Sequence, residues 1–431
     1  MTRDFSDTFT DLKGNYQNLK KMKKTATPNL VQITWALKSL MVQLLFIAAL
    51  TPSIYSCKKS SDDPVTTTQT VAQIVYTSDL HYGISRIFRG VTADAATVNQ
   101  ALVEQINAVP AATFPNDVGV NAGKKISTID YLIITGDISN REQTGPPRIQ
   151  SSAASWGQFA NSYLNGITLK NASNQSSGIL LSDGNHDVSN AIGYYKAMLP
   201  EKDPTTMVNI YNMMLKPTTY KTNASYDYTT DKINYSKDIV GVHLMFVNIW
   251  PDSAARVWMA NDLSKVSSTT PVIIFTHDQP DIETNHLTNP NGTHTINSTD
   301  KFENIVAEVC KDGITTSAPT TIEQKAFVSF LQAHQNIKAY FHGNENKNEF
   351  YVYKGPDNNI SLKVFRVDSP MKGLVSGGDA PDGIGDETKL SFQVIAIDGA
   401  TKTMTVRECL WNTTGATSLL VWGTNSTISL N

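Results

Sequence analysis

The chain is poor in the residues that would cross-link it or draw it to a polyanion. It has 3 cysteines in 431 residues, and none of them forms the Cys-x-x-Cys spacing of a zinc or redox motif. Lysine and arginine number 36 against 39 acidic residues, and no basic stripe is interleaved with aromatics. These absences exclude a disulfide-built scaffold and argue against duplex nucleic acid as the main partner.

Long apolar runs are also scarce, and the most apolar stretch lies at residues 41–54, after a basic segment at residues 20–24. It is shorter than the roughly 20 residues of a membrane-spanning helix, so we expect residues 1–56 to be a lipoprotein signal. A small residue precedes Cys57 as in a lipobox, which makes Cys57 the expected lipid-bearing residue; an uncleaved membrane anchor is the alternative. Because the stretch begins late, Met22 is an alternative start.

The segment after the signal is polar and of low complexity. Residues 57–70 lack periodicity, which predicts a flexible tether to a domain at 71–431. We expect an exported protein held by its lipid at the outer membrane, on the periplasmic face or the cell surface. Beyond the signal, 36 acidic residues outnumber 29 basic ones. An oxidising compartment would permit a Cys310–Cys409 disulfide, but their separation in sequence makes free thiols the favoured alternative.

Four short apolar runs bounded by turn residues predict buried strands, and polar residues that can bind a metal follow each run. The runs are 74–77, 131–135, 179–182 and 272–275. The residues that follow them, in chain order, are Asp79 and His81, Asp137, Asn185 with His186 and Asp187, and His277. Open α/β sheets place ligand residues at the carboxyl ends of their strands, so these side chains are expected to meet at one edge.

This order of motifs resembles the calcineurin-like metallophosphoesterases. The resemblance rests on Asp79-Leu-His81, Gly136-Asp137, Gly184-Asn185-His186-Asp187 and His277. It implies an α/β fold of two packed mixed β-sheets flanked by helices, a four-layer αββα sandwich. It also implies two divalent metal ions (manganese, iron, zinc or magnesium) that activate water for attack on a phosphoester.

The resemblance further implies a role for each ligand. Asp79 and His81 would hold one metal, and Asp137 would bridge the two, since a carboxylate has two oxygens to share. Asn185 and His277 would hold the second metal through a neutral oxygen and a nitrogen.

Two residues of the third motif are implied to be catalytic rather than ligating. His186 would hydrogen-bond the phosphate or protonate the leaving oxygen, which is worth roughly 10²–10⁴-fold in rate. Asp187 would orient His186 by fixing its tautomer. As an equal and compatible alternative, Asp187 would cap a helix expected over residues 188–198.

The last motif departs from the family pattern of Gly-His-x-His after a late strand. This chain has Gly343-Asn344-Glu345-Asn346, so the resemblance makes Asn344 and Asn346 the remaining metal ligands. Asparagine ligates through its carbonyl oxygen, which shifts a site toward harder ions such as manganese, magnesium or calcium. An alignment slipped by two residues would instead make His342 the first of the pair.

The remaining patterns predict one large domain with inserts. Apolar residues at helical spacing predict helices around 98–106 and 322–331. Alternating runs on either side of Asp398-Gly399 predict a hairpin that fits the family's second sheet. Residues 411–431 suit an added strand without requiring one. Three polar segments are candidate inserts over the metal face: 139–177, 194–237 and 278–320.

Two functions of different classes follow from these residues. The first is a metal-dependent phosphoesterase that hydrolyses a small-molecule phosphoester. The alternative is a degenerate member that binds a phosphorylated or glycan ligand without turnover. Asn344 and Asn346 favour the alternative, whereas Asp137, His186 and Asp187 favour the enzyme. The sequence sets neither the substrate nor the oligomeric state.

Overall fold

Two six-stranded sheets form the centre of the part of the chain that this computed structural model describes. That part comprises residues 69–140, 150–188, 203–228, 230–282, 286, 317–372, 375–376, 386–414 and 420–431. The expected signal, Cys57 and nearly all of the tether lie outside it. Among the described residues, no helix has both the length and the apolar character of a membrane span.

The strands and helices are numbered here in chain order. The strands are β1 Val71–Thr77, β2 Ser85–Phe88, β3 Val91–Asp94, β4 Tyr131–Thr135, β5 Gly178–Ser182, β6 Tyr235–Ile239, β7 Val242–Phe246, β8 Val272–Phe275, β9 Ile337–His342, β10 Glu349–Tyr353, β11 Leu362–Arg366, β12 Val375–Ser376, β13 Ser391–Asp398, β14 Thr403–Leu410 and β15 Val421–Ser429. The helices are α1 Ala95–Ala108, α2 Ser152–Phe159, α3 Thr205–Leu215, α4 Ser253–Leu263 and α5 Ser317–Ala333.

The first sheet has the order β15-β14-β13-β1-β4-β5, and the second has the order β10-β11-β9-β8-β7-β6. In the first sheet β1, β4 and β5 run parallel, and in the second β7, β8, β9 and β11 run parallel. The four apolar runs of the sequence are thus β1, β4, β5 and β8, as predicted. A small third sheet joins β12, β2 and β3.

The predicted hairpin exists, but its assignment to the second sheet was wrong. Strands β13 and β14 pair across the turn that begins at Asp398. β13 then pairs antiparallel with β1, from Val71 opposite Asp398 to Tyr76 opposite Gln393. The hairpin therefore extends the first sheet, because β1 offers it a free edge. The segment 411–431 adds β15 at the outer edge of the same sheet.

A row of stacked aromatic rings crosses the second sheet on the face that meets the first sheet. It consists of Tyr235, Phe246, Phe275, Phe341 and Phe365, one ring from each of β6, β7, β8, β9 and β11. The centroids of successive rings lie 4.5, 5.3, 4.6 and 4.7 Å apart. Each pair belongs to residues directly opposite in the strand register, so the alternation of side chains along a strand keeps the row on one face.

Tyr76 of β1 joins the first sheet to this row. Its ring meets Phe275 and Phe341 edge-on, with centroids 5.6 and 5.4 Å away. Its hydroxyl shares a hydrogen bond of 2.9 Å with the Thr135 hydroxyl at the end of β4. The two sheets are thus packed together through apolar side chains, with a polar contact beside the strand ends.

Helices cover the outer faces of the two sheets. Helix α1 begins after Asp94, whose carboxylate accepts a hydrogen bond from the Thr97 N–H at 2.8 Å, and it buries Leu102 in the cluster that lines the outer faces. Helix α5 packs Phe327 against Tyr340 of β9, with ring centroids 6.0 Å apart. The helices predicted around 98–106 and 322–331 are therefore confirmed, as is the predicted α/β sandwich.

The remaining expectations have mixed outcomes. Cys409 is a free, buried thiol of β14, so the disulfide considered for it is not formed; Cys310 lies outside the described residues. Helix α2 lies in the first candidate insert and α3 in the second. Within α2, the Ser155 hydroxyl donates to the Tyr82 carbonyl at 2.9 Å, so this insert packs on the loop that follows β1.

Candidate metal centre

The loops that follow β1 and β4 run side by side and bring the first two motifs together. The N–H of Asp79 donates to the Gly136 carbonyl at 3.1 Å, and the N–H of His81 donates to the Asp137 carbonyl at 2.8 Å. Asp79, His81 and Asp137 have φ values of 57°, 46° and 49°, in the left-handed region. Each such residue costs on the order of 1–3 kcal/mol, a strain typical of functional sites.

A close crossing of two glycines brings the third motif to the second. A Cβ added to Gly136 would lie 2.3 Å from the Gly184 nitrogen, and one added to Gly184 would lie 2.2 Å from Oδ1 of Asp137. Only residues without a side chain allow the loops after β4 and β5 to approach this closely. The N–H of His186 then donates to Oδ1 of Asp137 at 2.8 Å.

The buried carboxylate of Asp137 lies at the middle of the site. Its Oδ2 is 3.7 Å from Nε2 of His81 and 3.9 Å from Nε2 of His186. Its Oδ1 is 3.4 Å from Nε2 of His277. Two groups of possible donors share this residue: His81, Asp137 and His186 form one, and Asp79, Asp137 and His277 form the other, each with its donor atoms within 4.8 Å of one another. One carboxylate thus faces donors on two sides, as a bridging ligand must.

The loops at the carboxyl ends of parallel strands in the two sheets lie together at one site. The chain has an α/β fold of two packed mixed sheets flanked by helices. The motifs that carry the resemblance fall at the carboxyl ends of β1, β4, β5 and β8, and the loop after β9 supplies the last one.

The electrostatics of the centre follow from burial and from the neighbouring rings. Burial alone would raise the pKa of Asp137, but His277, His186 and His81 together hold it well below its usual range. Burial alone would lower the pKa of His277, but the charge of Asp137 and its hydrogen bond raise that pKa well above its usual range. Burial raises the pKa of Asp79. Among these groups, the neighbouring rings thus favour the charged carboxylate at Asp137, in the middle of the site.

The ring of His277 is oriented by a backbone carbonyl. Its Nδ1 donates to the Thr135 oxygen at 2.7 Å, which leaves the lone pair of a neutral ring on Nε2. This Nε2 lies 2.9 Å from Oδ1 of Asn185. In the protonated ring Nε2 donates to this oxygen, and in the neutral ring the two atoms could ligate one cation together. The arrangement therefore fits the predicted role of Asn185 and His277 as ligands of one ion.

The loop after β9 brings Asn344 to the centre and holds Asn346 beside Asn344. The N–H of Asn344 donates to the two oxygens of Asp79, at 3.0 and 3.2 Å. The side-chain nitrogen of Asn346 donates to the Asn344 carbonyl at 3.3 Å. Within the described part of the chain, the buried Oδ1 of Asn346 accepts no hydrogen bond. A buried oxygen in that state costs free energy unless a cation or water satisfies it, so the donor set fits metal ions.

His342 does not take part in the centre. Its Nδ1 is 2.9 Å from the Gly343 carbonyl and its Nε2 is 3.0 Å from the Tyr351 hydroxyl. Burial, and next the charge of Arg366, lower the pKa of His342 well below its usual range, so the ring is neutral. Both ring nitrogens of His342 thus have partners away from Asp137, a contact pattern that fits the alignment with Gly343 in place; which residues ligate stays a prediction. A Cβ on Gly343 would lie 2.2 Å from Oδ2 of Asp79.

Asp187 shapes the loops around His186. Its carboxylate accepts hydrogen bonds from the N–H groups of Ser139 and Gly184, both at 2.9 Å. Burial, and next the charge of Asp137, raise the pKa of Asp187 to about 8. The structure thus gives Asp187 backbone partners, where the sequence predicted the His186 ring. The helix expected over 188–198 lies outside the described residues beyond its first position.

Three residues near the centre were missed from the sequence. Gln279 accepts a hydrogen bond from the Asn344 side chain at 3.1 Å. Asp278 is fully buried and hydrogen-bonds the buried ring of His286. The available signal was position, since Asp278 and Gln279 directly follow His277, which the sequence predicts to be a ligand. For His286 the sequence offers no comparable signal.

Comparison with known proteins gives structural likeness alone. No protein-family model and no curated protein matches the chain. It is similar to a dimetal phosphatase from Danio rerio, at 9% identity over 83% of this chain and 100% of that one, with a TM-score of 0.44. Vps29 from Entamoeba histolytica, crystallised with zinc, gives 7% identity over 83% and 99%, with a TM-score of 0.29. The calcineurin-like phosphoesterase YfkN from Bacillus subtilis gives 11% over 84% and 92%, with a TM-score of 0.27.

Proposed function

We propose that the chain is a metal-dependent phosphoesterase of the calcineurin-like superfamily that hydrolyses a small-molecule phosphoester. The observation that carries the proposal is the position of Asp137. Its two oxygens lie 3.7 Å from Nε2 of His81 and 3.4 Å from Nε2 of His277, on opposite sides of one buried carboxylate. This is the arrangement that a pair of bridged cations requires.

Different residues of the chain would hold each of the two ions. Asp79 and His81 would hold one divalent ion, Asn185 and His277 the other, and Asp137 both. Asn344 and Asn346 would complete the donor set with oxygen. The bound ions supply Lewis acidity and a water of lowered pKa for in-line attack on phosphorus.

His186 is proposed to provide the proton for the leaving oxygen. Its side chain is 14% exposed, against 2% for Asp137, so its ring lies at the open side of the centre. Its N–H donates to Oδ1 of Asp137, which fixes the backbone and limits the positions open to the ring. A ring beside a buried carboxylate and within reach of solvent suits a general acid.

The decisive experiment pairs metal binding with turnover. Chelator-stripped protein is titrated with Mn²⁺ in a calorimeter, and the loaded protein is assayed with p-nitrophenyl phosphate and bis(p-nitrophenyl) phosphate. We expect two Mn²⁺ per chain and hydrolysis that Asp137→Ala abolishes. Asp357→Asn is the matched control, because this exposed carboxylate pairs with Lys325 on the surface. No Mn²⁺ binding by the unaltered chain would refute the proposal.

The second candidate is a degenerate member that binds a phosphorylated or glycan ligand without turnover. Asn344 and Asn346, where the family pattern has histidines, favour it. If the chain is such a degenerate member, Asp137→Ala should leave ligand binding intact. If the chain is an enzyme, the same substitution should abolish turnover. Binding of a phosphorylated ligand by Asp137→Ala, with no hydrolysis by the unaltered chain, would support it.

We also propose that the protein is exported and anchored through a lipid on Cys57. The support is the sequence of residues 1–56 and the small residue before Cys57. Cells fed a labelled fatty acid should label the protein, and Cys57→Ser should remove the label. Labelling that survives the substitution would refute the anchor.

A further inference from the structure

Asn344 is held at its backbone and its side chain by different residues. Its N–H donates to the Asp79 carboxylate, and its side-chain nitrogen donates to Oε1 of Gln279 at 3.1 Å. Gln279 is 4% exposed and lies two residues after His277, so it belongs to the segment that supplies a ligand from β8. The hydrogen bond therefore links the loops after β8 and β9 beside the metal centre.

The direction of this hydrogen bond has a chemical consequence. An asparagine amide offers a cation its oxygen and repels it with its NH₂ group. A histidine has no such ambiguity, because either ring nitrogen can ligate. At position 344 the nitrogen is engaged by Gln279, and at position 346 the nitrogen is engaged by the Asn344 carbonyl at 3.3 Å. Both amides therefore have a defined nitrogen end, and an amide ligates a cation through its oxygen.

The backbone of the loop is fixed independently of Gln279. Asn344 and Asn346 have φ values of 66° and 52°, a left-handed conformation that asparagine tolerates better than most residues. Between them, Glu345 is paired with Arg366 of β11, which also pairs with Glu349 at the start of β10. Arg366 is 4% exposed, whereas the side chains of Glu345 and Glu349 are 34% and 49% exposed, so the guanidinium end of this clamp is the sheltered one. A change at Gln279 therefore alters the amide orientation and leaves the loop held.

We propose that Gln279 is a positioning residue of the metal centre, which fixes the Asn344 amide so that oxygen faces the cations and the centre selects hard divalent ions over Zn²⁺. The inference rests on the proposed function. It assigns to Gln279, which lies outside the family motifs, the role of orienting an asparagine that stands where the family pattern has a histidine. Oxygen donors favour Mn²⁺ and Mg²⁺, whereas imidazole suits Zn²⁺.

The test measures Mn²⁺ and Zn²⁺ affinity separately, by calorimetry on chelator-stripped protein. Gln279→Leu keeps the approximate size and removes the acceptor. Because removal of a ligand's hydrogen-bond partner lowers metal affinity about 10–100-fold, we expect that loss for Mn²⁺ and a smaller loss for Zn²⁺. Gln324→Leu is the matched control, since this amide on α5 contacts Tyr353 and Asp281 rather than Asn344. It should leave both affinities within about twofold of the unaltered chain.

A second variant gives an answer even where Gln279→Leu fails to fold. Asn344→His restores the family ligand, so Zn²⁺ affinity should rise relative to Mn²⁺. In that background the second ring nitrogen can donate to Gln279, so Gln279→Leu should lower the Mn²⁺ and Zn²⁺ affinities together rather than that of Mn²⁺ selectively. Urea unfolding of the metal-free variants identifies any loss that comes from misfolding.

The outcomes separate the two proposals. Mn²⁺ binding and turnover by the unaltered chain, with affinities that Gln279→Leu does not change, would overturn the role of Gln279 alone. An Asn344→His variant that keeps the original ion preference would also overturn it. Absence of Mn²⁺ binding by the unaltered chain would instead overturn the proposed function.

Discussion

The glycine crossing at the centre makes a sharp prediction, because Gly184→Ala adds one methyl group at the most crowded point of the site. Gly184 has φ −122° and ψ 173°, an extended conformation open to any residue. The substitution therefore causes no backbone strain of its own. Its cost must come from contacts alone.

The size of that cost follows from three distances. The new Cβ would lie 2.2 Å from Oδ1 of Asp137, 2.4 Å from the Asp137 nitrogen and 2.9 Å from Cε1 of His277. Ordinary contact needs at least about 3.4 Å, so the loops must separate by roughly 1 Å. Overpacking of this kind costs about 1–3 kcal/mol. The shift moves the Asp137 carboxylate, which we propose holds both ions, so Mn²⁺ affinity should fall on the order of 10–100-fold.

Urea unfolding and Mn²⁺ calorimetry on the same preparations measure both effects. Gly157→Ala is the control, since an added Cβ there meets nothing within 4 Å and Gly157 lies inside α2. A glycine inside a helix costs about 1 kcal/mol relative to alanine, so the control should be neutral or more stable. A Gly184→Ala variant with unchanged unfolding midpoint and unchanged Mn²⁺ affinity would refute the close crossing.

Three further predictions concern stability. Phe341→Ala removes the ring that stacks between Phe275 and Phe365 in the aromatic row and should cost about 3–5 kcal/mol in urea unfolding; a loss below about 1 kcal/mol would contradict the stacking. Asp117→Asn leaves the buried guanidinium of Arg407 without its carboxylate, which lies 2.6 Å away, and should cost about 3 kcal/mol by the same assay. The exposed carboxylate of Asp357 is its control, and Asp357→Asn should cost less than about 1 kcal/mol. Mn²⁺ at 100 times its dissociation constant should stabilise the chain by about 2.7 kcal/mol in unfolding titrations, and an unchanged midpoint would mean that the folded state holds no ion.

The strands that carry the site could be predicted because buried strands have a simple sequence signature. The runs at 131–135 and 272–275 coincide with β4 and β8, since strands covered on both faces are apolar throughout. The sheet that receives the late hairpin could not be predicted in the same way. The turn at Asp398 is a local signal, whereas the pairing of β13 with β1 joins distant parts of the chain.

The centre shows the same division between local and distant information. The motifs identified the donors that meet at Asp137, because each motif lies at a strand end. The direction of each side chain depended on how the two sheets pack. Phe341 packs in the cluster between the sheets, so the alternation of side chains along β9 places His342 on the opposite face. The partners of Asp187 and Asn344 come from other loops, and no pattern within either motif specifies them.

The aromatic row of the second sheet has a consequence for how that sheet assembles. A slip of one residue in any of the five strands that carry the row would send that strand's ring to the opposite face and interrupt the row at that strand. Partly paired intermediates therefore gain little of the stacking free energy, and the five strands should order in one cooperative step. Amide hydrogens across β6, β7, β8, β9 and β11 should then exchange through a shared opening rather than strand by strand. The centre at the ends of β8 and β9 would be formed or lost as one unit with that sheet.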